Sequence, residues 1–460
     1  MAGRRRLLVK IIMAIKKIYV CSHCDAQFPK WSGRCLECGS WGTLVENITD
    51  AQTEKKEEAK KLGDAKVIDL RTLKGGPEIR IKSGWEEIDR VLGGGLLPGS
   101  LLLLSGEPGI GKSTLAAQLA DALSNGHEVL YVSGEESALQ VKARLERLGC
   151  DLSRLRFIGE TSVEKISSAA LKLRPALLVI DSIQTVYSSL IPFEPGSLSQ
   201  IRAVAVKFLE IAKEYNISVL LIGHITKDGQ IAGPKSLEHI VDTVLSLENE
   251  TGSNYCLLRA SKNRFGSVNE LGVLEMTGKG FREAKDPSSV FLGQGSSMIA
   301  GSVVGCVLEG SRPFLVNIQA LVTKTVFGYP QRQTSGFDLN RLQVLSAVIA
   351  KRSKINLVTR DIILNVVGGL KINDPALDLA VCAAIISSYL NKPLPAGMAT
   401  IGELGLGAEL RPVFRLEQRL KEAEKLGFKS AIIPEGAEYK SGKLKLLKIN
   451  NLGELVEILA

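Results

Sequence analysis

The chain has 460 residues, 45% of them hydrophobic, and 58 basic against 49 acidic side chains give it a formal net charge of +9. This length predicts two or three domains with substantial hydrophobic cores. No apolar run approaches the roughly eighteen residues that a membrane-spanning helix needs, so we expect a cytoplasmic protein without a membrane partner. The positive charge suits a polyanionic partner, although many basic proteins never bind nucleic acid.

The first twenty residues read as a basic leader. Residues 1–20 contain a short apolar patch that Lys10 interrupts, and no small-residue cleavage site follows it before Cys21. A secretory signal is therefore not expected. Met13 offers a second start, so residues 1–12 are either a disordered leader or lie outside the translated protein.

Residues 21–45 carry two C-x₂-C pairs that predict a zinc-binding ribbon. The four cysteines are Cys21, Cys24, Cys35 and Cys38. Each pair presents two thiolates from one tight turn, and four thiolates satisfy a tetrahedral Zn²⁺. Disulfides are disfavoured in a reducing cytoplasm, and an iron–sulfur site is the remaining alternative. We expect Trp31 and Trp41 to pack the ribbon. Residues 46–66, charged and poor in apolar side chains, predict a flexible tether.

A complete phosphate-binding loop follows the apolar run 101–104. The predicted nucleotide-binding residues are Gly106, Glu107, Pro108, Gly109, Ile110, Gly111, Lys112, Ser113 and Thr114. The glycines let backbone N–H groups cradle phosphate oxygens, and the helix that follows adds its positive N-terminal end. Lys112 is expected to reach the β- and γ-phosphates of ATP, and Ser113 to bind Mg²⁺. A glycine turn without a ligand is the alternative reading.

Alternating strands and helices after this loop predict a parallel α/β core over residues 67–286. The buried strand 177–180 ends in Asp181, which we expect to assist Mg²⁺ binding from a strand next to the loop strand. Glu135 and Glu136 follow another strand at the same end of the sheet. We expect Glu135 to orient the attacking water, whereas a solvated acidic pair is the alternative.

Residues 81–99, just before the loop, resemble the start of RecA-type ATPase cores. The sequence Lys262-Asn-Arg264-Phe-Gly266, expected to follow a strand over 255–260, is the KNRFG motif of the RadA (Sms) family. The whole chain is similar to this family of bacterial DNA-repair ATPases. The resemblance implies that Lys262 and Arg264 act in a neighbouring subunit's ATP site or couple hydrolysis to DNA movement. A basic turn in contact with solvent is the alternative.

A glycine- and lysine-rich loop follows the apolar strand 219–222. Loops at this place in RecA-like rings line the channel and hold single-stranded DNA, so the resemblance implies phosphate contacts for Lys227 and Lys235. His224 is either a γ-phosphate sensor or a structural histidine.

Residues 287–460 resemble a known enzyme domain that here lacks its catalytic pair. The stretches 374–380 and 402–413 are similar to the proteolytic domain of Lon-type proteases, which activate a serine with a lysine. This sequence has Ala376 where the serine is expected and Glu417 where the lysine is expected. We therefore expect no peptide hydrolysis.

The same domain is expected to be a scaffold that closes a ring and presents basic side chains to duplex DNA. The candidates for that surface are Lys351, Arg352, Lys354 and Arg360. A run of surface cations is also what an ordinary solvated face contains.

Taken together, the sequence predicts an α/β protein: a RecA-like P-loop ATPase core, an N-terminal four-cysteine zinc ribbon and a C-terminal, inactive Lon-protease-like α+β domain. The resemblance implies a DNA-dependent ATPase of recombinational repair, a homohexameric ring that moves on single-stranded DNA. Its implied partners are single-stranded and branched DNA and a RecA-type recombinase, and its implied role is branch migration. The rivals are a regulatory ATPase or kinase of the circadian-clock type, an ATP-dependent protease, and a metal-dependent adaptor.

Overall fold

A computed structural model of the chain describes fifteen segments. These are residues 17–21, 27–28, 30–37, 39–48, 69, 71, 79–223, 237–249, 254–284, 286–292, 299–326, 328–368, 372–437, 439 and 442–460. Five residues with predicted roles lie outside them, namely Cys24, Cys38, His224, Lys227 and Lys235. Within these segments no helix combines the length and the apolar character that a bilayer crossing demands.

The N-terminal ribbon is a three-stranded antiparallel sheet in the order β2-β1-β3. Its strands are β1 (Lys17–Cys21), β2 (Gln27–Phe28) and β3 (Leu44–Ile48). Cys21 and Cys35 are fully buried beside Leu44. Trp31 and Trp41 are 61% and 76% exposed, so the expectation that they pack the ribbon is wrong. Among the described residues, the buried cluster of the ribbon consists of Cys21, Cys35 and Leu44, and the aromatic rings packed against it are those of Tyr19 and Phe28.

The core is a nine-stranded sheet in the order β12-β11-β10-β9-β4-β8-β7-β5-β6. Its first elements are α1 (Glu86–Val91), β4 (Leu101–Gly106), α2 (Lys112–Ser124), β5 (Val129–Ser133), α3 (Ala138–Leu148), β6 (Leu155–Ile158) and α4 (Val163–Leu173). The later ones are β7 (Leu177–Asp181), α5 (Leu198–Tyr215), β8 (Ser218–Ile222), β9 (Thr243–Asn249), β10 (Tyr255–Asn263), β11 (Leu271–Thr277) and β12 (Gly280–Glu283).

The central strand β4 is buried on both faces because helices cover each side of the sheet. Leu102 and Leu104 belong to the hydrophobic cluster under α2, whereas Leu101 and Leu103 belong to the cluster under α5. This alternation follows from the two-residue period of a strand. Strands β6, β5, β7, β8, β4 and β9 run parallel, and β10 to β12 continue antiparallel. The carboxyl ends of the parallel strands therefore share one edge.

The C-terminal domain is a mixed seven-stranded sheet in the order β15-β16-β14-β13-β17-β20-β21, with a small hairpin of β18 and β19. Its first elements are α6 (Pro287–Leu292), β13 (Ser302–Glu309), β14 (Arg312–Lys324), β15 (Arg332–Ser335), α7 (Leu339–Arg352), β16 (Arg360–Val366) and a 3₁₀ turn (Pro375–Leu377). The rest are α8 (Asp378–Leu390), β17 (Met398–Thr400), β18 (Glu403–Leu404), β19 (Leu410–Arg411), α9 (Leu416–Lys425), β20 (Ser430–Pro434), β21 (Lys445–Ile449) and α10 (Leu452–Leu459).

Buried charges and a shared apolar cluster join the core to the C-terminal domain. Glu87 in α1, 4% exposed, pairs with Arg312 of β14 at 2.6 Å and accepts the amide of Val273 at 2.9 Å. Arg259 of β10 pairs with Glu309 of β13 at 3.1 Å. Apolar residues of β10 and β11 belong to the same cluster as those of β13 and β14. The far half of the ATPase sheet thus packs directly on the C-terminal domain.

Candidate active site

The phosphate-binding loop connects β4 to α2, as the sequence predicted. The Lys112 side chain is 4% exposed, and its Nζ donates to the carbonyl oxygens of Gly106 at 3.0 Å and Glu107 at 2.9 Å. Burial lowers the pKa of Lys112, while the negative charges of Asp181 and Glu135 oppose that shift. A buried ammonium that contacts neutral oxygens is prepared to receive an anion.

Two glycines of the loop lie so close to neighbouring residues that there is no space for a side chain. A Cβ on Gly106 would lie 2.6 Å from the carbonyl oxygen of Leu247, and one on Gly111 would lie 2.6 Å from Met276 Cε. Gly111, with φ of 105°, begins α2 in a left-handed conformation that favours glycine. A larger residue at either position would therefore collide with the neighbouring strand or hairpin and displace the loop.

A magnesium-type donor pair lies beside the loop. Ser113 Oγ donates to Asp181 Oδ1 at 3.0 Å, and Asp181 is only 4% exposed. A hydroxyl and a carboxylate at this distance form the hard-oxygen set that Mg²⁺ prefers, so these residues fit the ion. One expectation is corrected: β7, which carries Asp181, is not adjacent to β4, because β8 lies between them. The carboxylate still reaches the loop because all three strands end at the same edge.

Glu135 and Glu136 lie at this edge too, directly after β5. Ser133 at the end of β5 pairs with Asp181 across the strands, which sets the acidic loop beside the carboxylate. Glu135 accepts a hydrogen bond from Ser182 Oγ, and Glu136 forms an ion pair with Arg144 of α3. The two glutamates are thus anchored differently, and Glu135 is the one tied to the strand that carries Asp181.

Sequence reasoning did not single out Tyr131 or Arg144, which complete this site. The Tyr131 hydroxyl donates to Asp181 Oδ2 at 2.6 Å, and Arg144 Nη2 donates to that hydroxyl at 3.0 Å. Burial, followed by the charge of Asp181, raises the pKa of Tyr131 well above its usual value, so it stays a donor. The sequence carries one signal for Tyr131: it precedes Ser133 by two residues, so the two side chains lie on the same face of β5.

The KNRFG motif lies at the opposite edge of the sheet from this site. The motif was expected after a strand ending at residue 260, but β10 continues to Asn263 across a bulge and includes Lys262. Asn263 pairs with Thr243, and Thr243 pairs with Leu102 near the start of β4. Since the phosphate loop begins at Gly106, four residues further along, the two features are separated by roughly 13 Å of strand.

Arg264 faces outward from that edge. Its side chain is 55% exposed, and its Nη1 lies 3.5 Å from Oδ1 of the buried Asp242. Lys262 Nζ instead turns inward and donates to the carbonyl oxygens of Glu238 and Val241. Burial and the nearby charge of Arg264 lower the pKa of Lys262. Of the two cations, Arg264 is the one presented at the surface.

Close packing fixes the shape of the motif. A Cβ on Gly266 would lie 3.0 Å from Gly93 Cα, so two glycine backbones touch here. Arg80 Nη2 donates to the carbonyl oxygen of Phe265 at 2.7 Å. Arg264 is therefore held on a constrained turn, as a residue that must reach a defined target requires.

In the C-terminal domain, the two positions that correspond to the serine and lysine dyad of Lon-type proteases hold residues that make structural contacts. Ala376 is 1% exposed, and the Glu417 side chain, 61% exposed, pairs with Lys421 at 2.7 Å. In the same helix as Glu417, Arg419 is 2% exposed and pairs with Asp374 at 2.7 Å. No nucleophile and base meet among these residues.

The predicted basic surface of this domain is only partly surface. Lys351, Arg352 and Lys354 are exposed. Arg360 is half-buried, with its guanidinium 5.3 Å from the Tyr389 ring centroid. Arg360 is thus engaged in packing as well.

Fold and site together define the class: a RecA-like P-loop ATPase core flanked by a metal-binding ribbon and a Lon-like domain. Family models agree, matching an AAA domain over residues 76–230, a rubredoxin metal binding domain over 19–46 and the subunit ChlI of Mg-chelatase over 325–437.

Relatives extend over almost the whole chain. DNA repair protein RadA of Haemophilus influenzae is 43% identical over 97% of this chain and 98% of its own length. Those of Bacillus subtilis and Aquifex aeolicus are 45% and 42% identical over 91% and 96% of this chain, and 92% and 99% of their own. The chain belongs to the RadA family of DNA repair proteins. A KaiC-like protein of Pyrococcus horikoshii aligns to 45% of this chain and 100% of its own at 22% identity, with a TM-score of 0.39, too weak to support an inference.

Proposed function

We propose that this protein is a DNA-dependent ATPase of recombinational repair that works as a homohexameric ring on single-stranded DNA. In this proposal it promotes branch migration of intermediates made by a RecA-type recombinase. Family membership supports DNA repair and ATP hydrolysis, and the assignment of ring, substrate and partner is our inference. The net charge of +9 is compatible with a polyanionic substrate.

One observation supports a ring: Arg264 lies at the sheet edge opposite to the phosphate loop of its own chain. Asn263, next to Arg264, pairs with Thr243 of β9, which pairs in turn with Leu102 near the start of β4. Arg264 therefore lies at the end of the sheet away from a nucleotide held at Gly106. Its exposed guanidinium instead suits the ATP site of a neighbouring subunit. Contacts of this head-to-tail kind close into a ring when the rotation between subunits allows it.

Within one site, the residues have separable roles. Lys112 and the loop amides would hold the phosphates of ATP, while Ser113 and Asp181 would hold Mg²⁺, which neutralises charge between the β- and γ-phosphates when bound. Glu135, fixed by Ser182, would orient the attacking water. Arg264 of the adjacent subunit would stabilise the negative charge that develops during phosphoryl transfer.

The DNA contacts and the zinc site are proposed on the family pattern. Lys227 and Lys235 would grip the phosphates of single-stranded DNA in the ring channel, and Lys262 would help couple hydrolysis to DNA. In the ribbon, the buried Cys21 and Cys35 supply two of four sulfurs for Zn²⁺. Fully buried thiols in so small an interior fit a structural metal, because such a module buries too little apolar surface to fold unaided.

The alternative of an ATP-dependent protease is disfavoured by the C-terminal site. Arg419 Nη1 donates to the carbonyl oxygen of Cys306 at 2.6 Å, and the amide of Leu308 donates to Asp374 at 2.9 Å. This ion pair thus holds two backbone groups of β13 beside the position where a catalytic serine would be expected. We propose that the domain is a scaffold, with its exposed cations turned to duplex DNA.

Steady-state ATP hydrolysis with and without single-stranded DNA tests the function. We expect DNA to stimulate turnover strongly, and expect Lys112→Ala and Arg264→Ala to lose that stimulation although Arg264→Ala still binds ATP. Arg147→Ala, which removes an exposed arginine from α3, is the matched control and should behave as wild type. Turnover indifferent to DNA would contradict the proposal and favour a regulatory ATPase or an adaptor.

A further inference from the structure

The Asp181 carboxylate is held on two sides by different kinds of partner. Oδ1 accepts from Ser113, whereas Oδ2 accepts from the Tyr131 hydroxyl at 2.6 Å and lies 3.5 Å from Arg144 Nη2. Tyr131 is completely buried, and the Arg144 side chain is 12% exposed. A cation of this chain thus lies beside the carboxylate on the side away from the loop serine.

Arg144 also connects this carboxylate to the acidic loop after β5. Its Nη1 pairs with Glu136, and its Nη2 reaches Tyr131 and Asp181. Its third nitrogen, Nε, is buried and has no hydrogen-bond partner among the described residues. The guanidinium is therefore held by charge and by two of its three nitrogens, an arrangement that tolerates exchange of a partner.

We propose that Arg144 is a built-in competitor of Mg²⁺ for Asp181, and that Tyr131 is the positioning residue that keeps this carboxylate turned toward Ser113. The inference rests on the proposed metal-binding role of Asp181. Two cations that share one buried carboxylate weaken each other's attraction to it. Arg144 would thereby lower metal affinity, while its grip on Glu136 holds the loop that carries Glu135.

The two residues then affect metal binding in opposite directions. Removing the charge with Arg144→Gln should tighten the metal, whereas removing the hydroxyl with Tyr131→Phe should weaken it, because the carboxylate loses its fixed orientation. Arg144→Lys keeps the charge but not the fork that spans Tyr131 and Glu136. It should bind metal as wild type does and turn over more slowly. A role in packing alone would not divide the variants by the sign of their effect.

The test uses Mn²⁺ in place of Mg²⁺ and measures its binding to the full chain with ADP by electron paramagnetic resonance. Arg144→Gln should bind Mn²⁺ at least about fivefold more tightly, since a unit charge near 4 Å matters even in bulk water. Tyr131→Phe should bind it roughly threefold more weakly, as expected for one net hydrogen bond. ADP binding without metal, followed with a fluorescent analogue, should be unchanged in all three variants.

Unchanged or weaker Mn²⁺ binding by Arg144→Gln, with ADP binding intact, would overturn the proposal. If Arg144→Gln fails to fold, Arg144→Lys and Tyr131→Phe still decide it, since weakening by both would mean a structural role. The variant Asp181→Asn distinguishes a failure of this inference from a failure of the proposed function. If this variant keeps wild-type Mn²⁺ affinity, the assignment of Asp181 in the proposed function fails together with this inference. If it loses the metal while Arg144→Gln is unchanged, only the inference fails.

Discussion

The nucleotide site of the core and the dyad position of the C-terminal domain each centre on a buried cation, and the two cations are treated differently. Lys112 is 4% exposed and contacts two neutral carbonyl oxygens of its loop. Arg419 is 2% exposed and has its own carboxylate, Asp374, besides the carbonyl oxygens of Cys306 and Phe414. The first cation retains capacity for an anion, whereas the second is already neutralised by a carboxylate of its own chain.

This difference shows how buried charge distinguishes a working site from a structural one. At the proposed nucleotide site, Gly106 and Gly111 pack closely against neighbouring strands, and burial lowers the pKa of Lys112. At the dyad position, the charges neutralise each other and complete the edge of β13. A buried ion pair of this second kind carries structure and offers no reactive group.

The largest effect should follow from removing the cation that remains available. Lys112→Ala leaves the phosphates without their ammonium, and we expect ATP turnover to fall by at least about a hundredfold, as when one preorganised electrostatic group is deleted. Steady-state phosphate release measures this. Lys142→Ala, an exposed lysine of α3, is the control and should keep wild-type turnover. Substantial turnover by Lys112→Ala would mean that the loop is not the catalytic site.

Removing the cation that is already neutralised should affect stability instead. Arg419→Leu leaves Asp374 without its partner and two carbonyl groups unpaired, so we expect the free energy of unfolding to fall by about 3–5 kcal/mol. Denaturant melts followed by circular dichroism would show an earlier transition for the C-terminal domain. Lys421→Gln, on the exposed face of the same helix, should change nothing measurable. An unaltered melt for Arg419→Leu would contradict the structural role of this pair.

The smallest effect is expected from restoring the residue types of the protease. Ala376→Ser combined with Glu417→Lys should create no peptidase activity, because position 376 is buried and the Arg419–Asp374 pair occupies the adjacent strand edge. Hydrolysis of fluorescently labelled casein measures this. The matched variant Ala376→Gly with Glu417→Lys defines the background. Casein cleavage above it would show that only the dyad separates this domain from an active protease.

Most of the fold could be predicted from the sequence because its signals are local. The phosphate loop fixes a strand, a turn and a helix in order, and the apolar runs 177–180 and 219–222 predicted β7 and β8 to within one residue. The two cysteine pairs predicted the ribbon and the family resemblance supplied the Lon-like domain, and both agree with the family models. The order of the strands could not be predicted from local patterns. β8 lies between β4 and β7 because of the way the crossover through α5 returns to the sheet.

The residues that escaped prediction make contacts between distant parts of the chain. Arg144 sits on an amphipathic helix, where an arginine ordinarily indicates a solvated face, and only the fold brings it to Asp181. Likewise, no local pattern distinguishes Arg419 from the other cations of α9, and only the fold buries it against Cys306 of β13. The exposure of Trp31 and Trp41 could not be predicted either, because only the folded ribbon shows that Tyr19 and Phe28 pack against its buried cluster.

The proposed ring requires that Arg264 act in the ATP site of a neighbouring subunit, and mixing two inactive variants tests this directly. Lys112→Ala lacks its own site but keeps Arg264, and Arg264→Ala lacks the arginine but keeps its site. We expect each alone to be inactive and a one-to-one mixture, reassembled from dilute subunits, to regain DNA-stimulated hydrolysis. In a random ring about a quarter of the interfaces join an intact site to an intact arginine. Replacing the Lys112→Ala partner by the double variant should abolish the recovery. No recovery from the mixture, with both variants folded and assembled, would contradict an action across the subunit boundary.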